Sequence, residues 1–185
     1  YSVFGIKHND LHFGNIMLQE TNKKYLYYNI NGFNYKVPTF GYIVKIIDWG
    51  RSTYNFNDFK SENYIFNYDS ECFGQFVKKK INNRGIKNIP IYNEKWTDIG
   101  MVSYSILHEY PKFHNTDLGK LLIKNITTTN KKKKIDISTF GWKQYTYITN
   151  NKFKIEPKNL LLNKLFDIYK QKNRPDKEII YHIYI

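Results

Sequence analysis

Several residue types that define common protein classes are scarce in this sequence. Cys72 is the only cysteine, which excludes an intramolecular disulfide and a cysteine-rich zinc site. Alanine is absent, and no apolar run approaches the ~18–20 residues that a membrane-spanning helix needs. The first residues also lack the apolar core of a signal peptide. We therefore expect a protein with no membrane partner, in a reducing and cytoplasmic location.

Lysine and aromatic residues, by contrast, are abundant. The 185 residues carry 29 Lys+Arg against 16 Asp+Glu, a net charge of +13, and aromatic residues make up 18% of the chain. This length and aromatic content predict one folded domain with a sizeable core. The positive charge would suit nucleic acid. However, the favoured residues are those of A/T-rich codons and the charge is spread over both halves, so a nucleic-acid partner is not expected. The runs Lys78–Lys80 and Lys131–Lys134 are predicted to be solvated loops.

The pattern in the first half predicts short strands. Residues 1–7 and Ile16–Glu20 have the composition of strands. Tyr25–Ile30 and Phe33–Val37 flank an Asn-Gly pair, which is a strong hairpin signal because both residues accept positive φ. The β-branched run Tyr42–Ile47 is typical of a buried strand.

The pattern changes after these strands. Residues 51–95 are predicted to be mostly loop with short helical pieces. Apolar spacing then predicts a first helix, with Thr97 as its cap. The predicted helices cover Trp96–Tyr110, Thr116–Ile126, Phe140–Ile148 and a segment that begins at Pro157 and places Leu160, Leu161, Leu165, Phe166 and Tyr169 on one side. The aromatic residues of Phe140–Ile148 would also suit a strand. Strands followed by helices predict an α+β fold in one domain.

Two short motifs carry residue types suited to phosphoryl transfer. Residues 8–15 (HNDLHFGN) have the form H-x-D-x-x-x-x-N and precede a predicted strand. Residues 46–50 (IIDWG) end a predicted strand with Asp, an aromatic residue and Gly. Together, in this order, they resemble the catalytic and metal-binding segments of the protein-kinase-like superfamily.

The resemblance implies a role for each polar residue of the two motifs. Asp10 and Asn15 would be catalytic, with Asp10 orienting an acceptor hydroxyl or accepting its proton. Asn15 and Asp48 would hold Mg²⁺ through oxygen atoms. Met17 would lie beneath the adenine of ATP, so that Met17 and Asp48 form the cofactor-binding residues. His8 would be a structural support behind the loop.

A third match lies downstream at Asp98. By resemblance this carboxylate would hydrogen-bond the catalytic-loop backbone, whereas taken alone it could simply favour the start of a helix. His12 is predicted to be an exposed-loop histidine, and Cys72 a small buried hydrophobic residue.

The sequence departs from the family pattern in two places near the motifs. A predicted hairpin lies between Asn15 and Asp48, and it makes the chain look like kinase-like proteins of large DNA viruses, for which host cytoplasm or virion would be the location. Asn9 stands where many regulated kinases have an arginine that pairs with a phosphorylated activation segment. Switching by phosphorylation of residues 51–95 is therefore not expected.

The resemblance extends over residues 1–175, which would form the mostly helical C-terminal lobe of a kinase-like fold with small β-hairpins near the catalytic loop. Residues 176–185 would be a C-terminal tail. No glycine-rich G-x-G-x-x-G precedes the catalytic loop, and the sequence begins with Tyr1 rather than Met. We therefore expect a fragment that is inactive alone, with an N-terminal lobe supplied in cis.

These features favour a phosphotransferase that uses ATP and Mg²⁺ to phosphorylate a hydroxyl. A protein Ser/Thr side chain is the first hypothesis for the acceptor, and a small-molecule alcohol, as in aminoglycoside or choline kinases, is the second. The competing class is a non-catalytic pseudokinase that uses its surface for binding. A basic nucleic-acid-binding domain ranks third, and it would show a steep salt dependence of binding.

Overall fold

The computed structural model describes residues 5–56, 59–60, 66, 70–72, 77–82, 85–90, 96–127, 136–138, 141–150, 157–173 and 180–183. Residues 1–4 and the lysine run at 131–134 lie outside this set. The described strands are β1 (Ile16–Glu20), β2 (Tyr25–Ile30), β3 (Phe33–Pro38), β4 (Tyr42–Ile46), β5 (Asn55–Phe56), β6 (Phe59–Lys60), β7 (Val77–Asn82), β8 (Gly85–Pro90), β9 (Lys170–Gln171) and β10 (Ile180–Ile183). The described α-helices are α1 (Thr97–Glu109), α2 (Asp117–Asn125), α3 (Trp142–Asn150) and α4 (Pro157–Leu161). The chain is therefore a mixture of strands and helices, as the α+β prediction requires.

The predicted hairpin around Asn31 and Gly32 is confirmed. Strands β2 and β3 pair in antiparallel register, with Ile30 opposite Phe33. Asn31 has φ of 49° and Gly32 has φ of 85°, so both turn residues lie in the left-handed region. Asn and Gly tolerate this region better than other residues, which is why the dipeptide locates the turn from sequence alone.

The hairpin belongs to a four-stranded sheet that the sequence does not predict. The strand order is β10-β2-β3-β9, so both added strands come from the last part of the chain. β10 pairs in parallel with β2, with Ile180 opposite Tyr27, and β9 pairs antiparallel with β3. Part of the predicted C-terminal tail at 176–185 is thus a strand of this sheet. The domain boundary after residue 175 stays a prediction.

The prediction of mostly loop with helical pieces for residues 51–95 is wrong for the part that the structure describes. β5 pairs with β6, and β7 pairs with β8 in a regular antiparallel hairpin in which Val77 lies opposite Pro90. Lys78–Lys80, predicted to be a solvated loop, belong to β7. Sequence pattern missed these strands because a strand is stabilised largely by its partner, and a lysine-rich segment lacks the usual apolar alternation.

The prediction that Tyr42–Ile47 is a buried strand is correct in its backbone and wrong in its burial. β4 pairs with β1 in a two-stranded antiparallel sheet, in which Leu18 lies opposite Val44. Both of these side chains are 60% exposed. A β-branched run favours a strand, but its burial depends on a second layer that local sequence does not specify.

The helices of the second half surround the main hydrophobic core. The core cluster consists of Trp96, Met101, Tyr104, Leu107, Leu122, Ile126 and Ile148. The predicted helices at 96–110, 116–126 and 140–148 correspond to α1, α2 and α3. The predicted cap Thr97 is wrong, because Thr97 is the buried first residue of α1 and Trp96 occupies the cap position, where its side chain makes no capping hydrogen bond.

The helix predicted from Pro157 onward is divided into two pieces. α4 ends at Leu161, and a 3₁₀ segment then spans Lys164–Tyr169. Asn163 separates them, since its backbone is extended and its Oδ1 accepts a hydrogen bond from the Leu165 N–H at 3.0 Å. Asparagine competes in this way with helix continuation and begins a new turn. Within the described residues, no helix is both long and apolar enough to cross a membrane.

Candidate active site

The pairing of β1 with β4 brings the two predicted motifs together. Ile16 lies opposite Ile46, and one step beyond this pair the Ile47 N–H donates to the Asn15 carbonyl at 3.0 Å. Asp48 follows Ile47 directly. Asn15 and Ile47, which flank the β2–β3 hairpin in sequence, are therefore hydrogen-bonded at the ends of two paired strands.

His8 forms a second connection between the two motifs. Its Nε2–H donates to the Ile47 carbonyl at 2.8 Å, because a carbonyl can only accept. The neutral ring then offers Nδ1 as an acceptor for the Asp10 N–H at 3.3 Å. The ring also packs against Trp49, with centroids 4.8 Å apart. His8 thus ties the backbone of Asp10 to the residue before Asp48.

Asp98 holds the same loop from the start of α1. Its Oδ2 accepts the His8 N–H at 2.8 Å, and its Oδ1 accepts the Asn9 N–H at 2.7 Å. Burial raises the pKa of Asp98 above its ordinary value, and the two backbone N–H donors oppose this shift by stabilising the carboxylate. The contact has the form that the kinase resemblance implies for this residue.

Asn9 anchors the loop to the segment that follows Asp48. Its backbone is in the left-handed region, with φ of 66°, and the residue is buried. The side-chain Nδ2 donates to the Arg51 carbonyl at 2.8 Å and to Thr53 Oγ1 at 3.0 Å. Lys7 and Thr53 add a two-residue antiparallel bridge beside it. Asn9, which stands where many regulated kinases have an arginine, therefore makes hydrogen bonds of its own within the protein.

The carboxylate of Asp10 is enclosed by polar side chains. Its side chain is 9% exposed, and its Oδ2 lies 3.3 Å from Arg51 Nη1. Its Oδ1 accepts a hydrogen bond from the Tyr145 hydroxyl at 2.7 Å. Glu71 lies 3.4 Å from the other guanidinium nitrogen, Nη2. Asp10 therefore sits beside a permanent cation and a hydroxyl donor.

Asn15 and Asp48 carry the types of oxygen atom that Mg²⁺ takes as ligands. Asn15 is buried, and its Nδ2 donates to the Asp10 carbonyl at 2.8 Å. This hydrogen bond fixes the orientation of the amide, so that Oδ1 points away from the Asp10 carbonyl. Asp48 is exposed and in the left-handed region with φ of 58°, where its Oδ1 lies 3.4 Å from the Gly50 N–H. Mg²⁺ takes an amide and a carboxylate oxygen readily and draws further ligands from phosphates and water. Among the described residues, no cluster of three or more His, Cys, Asp or Glu forms a cage from protein alone.

Met17 lies on β1, two residues beyond Asn15. Its side chain is 55% exposed, and its backbone partner is Lys45 of β4. Leu18 and Val44 are exposed in the same two-stranded sheet. Because side chains alternate between the two faces of a strand, Met17 projects from the face opposite to that of Leu18 and Val44. Met17 is thus an exposed apolar side chain close in sequence to the candidate metal ligand Asn15.

His12 differs from the sequence prediction of an exposed-loop histidine. Its side chain is 32% exposed, and its Nε2 lies 3.7 Å from Asp10 Oδ1 and 3.5 Å from Asn15 Nδ2. Its Nδ1 accepts the Gly14 N–H at 3.0 Å, which leaves the proton of the neutral ring on Nε2. His12 is consequently a polar neighbour of both candidate catalytic residues.

Sequence reasoning missed Arg51 and Tyr145 as members of this site. Arg51 follows the second motif by one residue, so its proximity could have suggested it. Tyr145 lies 135 positions from Asp10, and no local pattern marks it among the 17 tyrosines. Cys72, by contrast, is buried as predicted, and burial raises the pKa of its thiol.

Comparison with known proteins gives a partial match. No protein-family model matches the sequence. The serine/threonine-protein kinase haspin of Bos taurus is 30% identical over 132 residues, which is 65% of this chain and 16% of that protein. The haspin of Mus musculus is 33% identical over 100 residues, which is 49% of this chain and 13% of that protein. The chain thus matches less than a fifth of the length of each of these relatives.

This similarity supports a protein-kinase-like relationship. It agrees with the resemblance drawn from the two motifs.

Proposed function

We propose that this chain is the C-terminal lobe of a protein-kinase-like phosphotransferase that transfers the γ-phosphate of ATP to a hydroxyl. The observation that carries the proposal is the junction between the two motifs. Hydrogen bonds from Ile47 to Asn15 and from His8 to Ile47 gather the candidate catalytic loop and the candidate metal ligand at one place. Phosphoryl transfer depends mainly on such positioning and on charge stabilisation.

Each residue of the junction has a proposed task. Asp10 orients the acceptor hydroxyl toward the phosphate and receives its proton as the bond forms. Asn15 and Asp48 hold Mg²⁺ through Oδ1 and the carboxylate, and Met17 lines the adenine site. A Mg²⁺ ion held there would neutralise part of the negative charge of the phosphates.

His8 and Asp98 serve this arrangement through the backbone. His8 fixes the distance between the loop and the strand end that carries Asp48, and Asp98 holds the two residues before Asp10. Both are proposed as supports that do not contact substrate.

A serine or threonine side chain of a protein is the proposed acceptor. The relatives that match this chain are named serine/threonine-protein kinases, which favours a protein acceptor over a small-molecule alcohol. Because the chain covers only a small part of those proteins, acceptor choice is a separate question for the assay below.

An N-terminal lobe in cis is the proposed partner of the exposed sheet formed by β1 and β4. Leu18 and Val44 lie opposite each other on one face of this sheet and are both 60% exposed, and Met17 is 55% exposed on the other face. Apolar side chains concentrated beside a nucleotide site are well suited to receive a covering layer.

The test uses the full-length product of the coding sequence that contains this chain. Asp48→Ala should abolish Mg²⁺-dependent phosphate transfer, because the ion loses its carboxylate ligand. Asp10→Ala should lower kcat about 10²–10⁴-fold while ATP binding is mostly retained. Transfer of labelled phosphate to a serine/threonine peptide library and to aminoglycoside and choline substrates measures both activity and acceptor class.

The matched control is Asp117→Asn. Asp117 is an exposed carboxylate at the start of α2 that pairs with Lys120, remote in sequence from both motifs. It should retain wild-type activity. If Asp10→Ala and Asp48→Ala are also as active as wild type, the catalytic assignment is wrong. A wild-type product that binds ATP without any transfer supports the pseudokinase alternative instead.

A further inference from the structure

Tyr145 of α3 reaches across the molecule to the loop that carries Asp10. Its hydroxyl lies 2.7 Å from Asp10 Oδ1 and 2.7 Å from the Asn9 carbonyl oxygen. Both are acceptors, so the single hydroxyl proton is directed to one or shared between the two. The contact joins consecutive residues of the catalytic loop to a helix far along the chain.

The hydrogen bonds around the Tyr145 oxygen leave its hydroxyl as a donor toward Asp10. Arg51 Nη1 lies 3.4 Å from the Tyr145 oxygen and donates to it, while the same nitrogen lies 3.3 Å from Asp10 Oδ2. Burial raises the pKa of Tyr145 far above its ordinary value, and the hydrogen bond to Asp10 raises it further. The phenol is therefore protonated at neutral pH.

The position of the Tyr145 ring is itself fixed. Trp142 stacks on it with centroids 5.6 Å apart and planes within 6°. The Arg51 guanidinium lies 5.9 Å from the ring centroid. Tyr145 also packs against the hydrophobic core, where Ile148 of the same helix is fully buried. A ring held from several sides can transmit its position to the hydroxyl.

We propose that Tyr145 is a positioning residue for Asp10. With Arg51 on Oδ2 and Tyr145 on Oδ1, both carboxylate oxygens are held, so rotation of the carboxylate is restrained. A carboxylate has about four lone-pair sites. The remaining ones can still meet an acceptor hydroxyl, and they meet it in one orientation. The inference rests on the proposed phosphotransferase function and names the group that sets the geometry of its key carboxylate.

The expected kinetic consequence follows from this geometry. Tyr145→Phe keeps the ring, its stacking on Trp142 and its packing, and it removes only the hydroxyl with its hydrogen bonds to Asp10, Asn9 and Arg51. In the full-length product, kcat should fall about 10-fold, because a misoriented carboxylate lowers the fraction of productive complexes. The KM for ATP should stay within about twofold, because Tyr145 contacts none of the proposed ATP ligands.

A double-mutant cycle separates positioning from a general structural role. If Tyr145 acts through Asp10, then Tyr145→Phe should cause no further loss in an Asp10→Asn background. Tyr147→Phe is the matched control, since it removes a tyrosine hydroxyl from the same helix, and its kcat should equal that of wild type. Equal losses from Tyr145→Phe in both backgrounds would overturn the inference.

Two other outcomes are distinguishable. An increase of kcat in Tyr145→Phe would mean that the hydroxyl holds Asp10 in an unproductive state, which also overturns the inference. A wild-type product without any phosphate transfer refutes the proposed function, and the positioning inference is refuted with it.

The hydrogen bond can also be measured in this chain without any activity. With ¹³Cζ-labelled tyrosine, the Tyr145 hydroxyl proton should give an NMR signal that exchanges slowly with water. In Asp10→Ala that exchange should accelerate at least about 10-fold. A Tyr145 hydroxyl that exchanges as fast in wild type as in Asp10→Ala has no bond to Asp10, and the inference is then wrong.

Discussion

The conformation of the candidate catalytic loop depends on a few polar side chains, of which Asp98 is the most demanding. Its two oxygens accept the backbone N–H groups of His8 and Asn9, at 2.8 and 2.7 Å. Asn9 needs this support because its φ of 66° is uncommon for a residue with a Cβ. The same carboxylate is partly withdrawn from water, which raises its pKa. The two hydrogen bonds that hold the loop thus favour the charged form of Asp98, whereas its burial disfavours that form.

Stability should depend on pH through Asp98. A raised pKa means that the folded chain keeps the Asp98 proton to higher pH than the unfolded chain does. The free energy of unfolding should therefore fall as the pH rises from the ordinary pKa of 3.8 to the raised value in the folded state. Urea unfolding of wild type and Asp98→Asn over this range measures the contribution, because the variant lacks the titration.

The test compares the free energy of unfolding of Asp98→Asn with that of wild type at each pH. Asp98→Asn should gain stability relative to wild type as the pH rises through that window, with Asp117→Asn as the control for loss of one carboxylate. A difference that stays constant with pH would contradict the raised pKa.

At the scale of elements, α2 shows how a local signal fixes a boundary. Thr116 is extended, and its Oγ1 accepts the Gly119 N–H at 3.0 Å while its hydroxyl donates to the Phe113 carbonyl at 2.7 Å. Gly119 must approach Phe113 closely, because a Cβ at this position would lie 1.7 Å from the Phe113 carbonyl oxygen. The helix therefore begins where a cap and a close contact coincide.

Thr116→Ala should lower the free energy of unfolding by about 1 kcal/mol, because an N–H at the helix start loses its acceptor. Thr116→Ser keeps the hydroxyl and should remain close to wild type. Urea unfolding monitored by circular dichroism measures both variants. Equal stability of the alanine and serine variants would mean that the cap contributes nothing.

At the scale of the whole molecule, β10 connects the C-terminal part of the chain to the β2–β3 hairpin. This strand pairs in parallel with β2, and Tyr181 packs against Tyr28 with ring centroids 5.6 Å apart. Burial raises the pKa of Tyr28, and the charge of an ionised Tyr181 raises it further. The end of the chain therefore completes a sheet whose central hairpin lies between the two site motifs in sequence.

Ending the chain after residue 175 should lower the free energy of unfolding by about 2 kcal/mol, since backbone hydrogen bonds contribute about 0.5–1.5 kcal/mol each. A chain that ends after Ile183 retains β10 and is the matched control. Thermal and urea unfolding compare the two. If both are equally stable, residues 176–185 behave as the tail that the sequence predicts, and β10 contributes nothing to the fold.

Local sequence determined the features that depend on neighbouring residues. The Asn31-Gly32 hairpin, strand β1 and the positions of α1, α2 and α3 follow from turn chemistry and apolar spacing over short stretches. The resemblance of residues 8–15 and 46–50 to kinase motifs identified two segments of a candidate site from sequence. In the structure, the hydrogen bonds of Ile47 with Asn15 and His8 bring these two segments together. Their catalytic and metal roles stay predictions.

Only the tertiary structure decided the features that depend on distant residues. β7 and β8 stabilise each other across a hairpin, β10 joins β2 from about 150 positions away in sequence, and the exposure of Val44 depends on which layer covers it. Tyr145 belongs to the site only because α3 packs on the core beside the loop of Asp10. Sequence spacing carries helical and strand periodicity, but it does not carry the direction in which one packed element faces another.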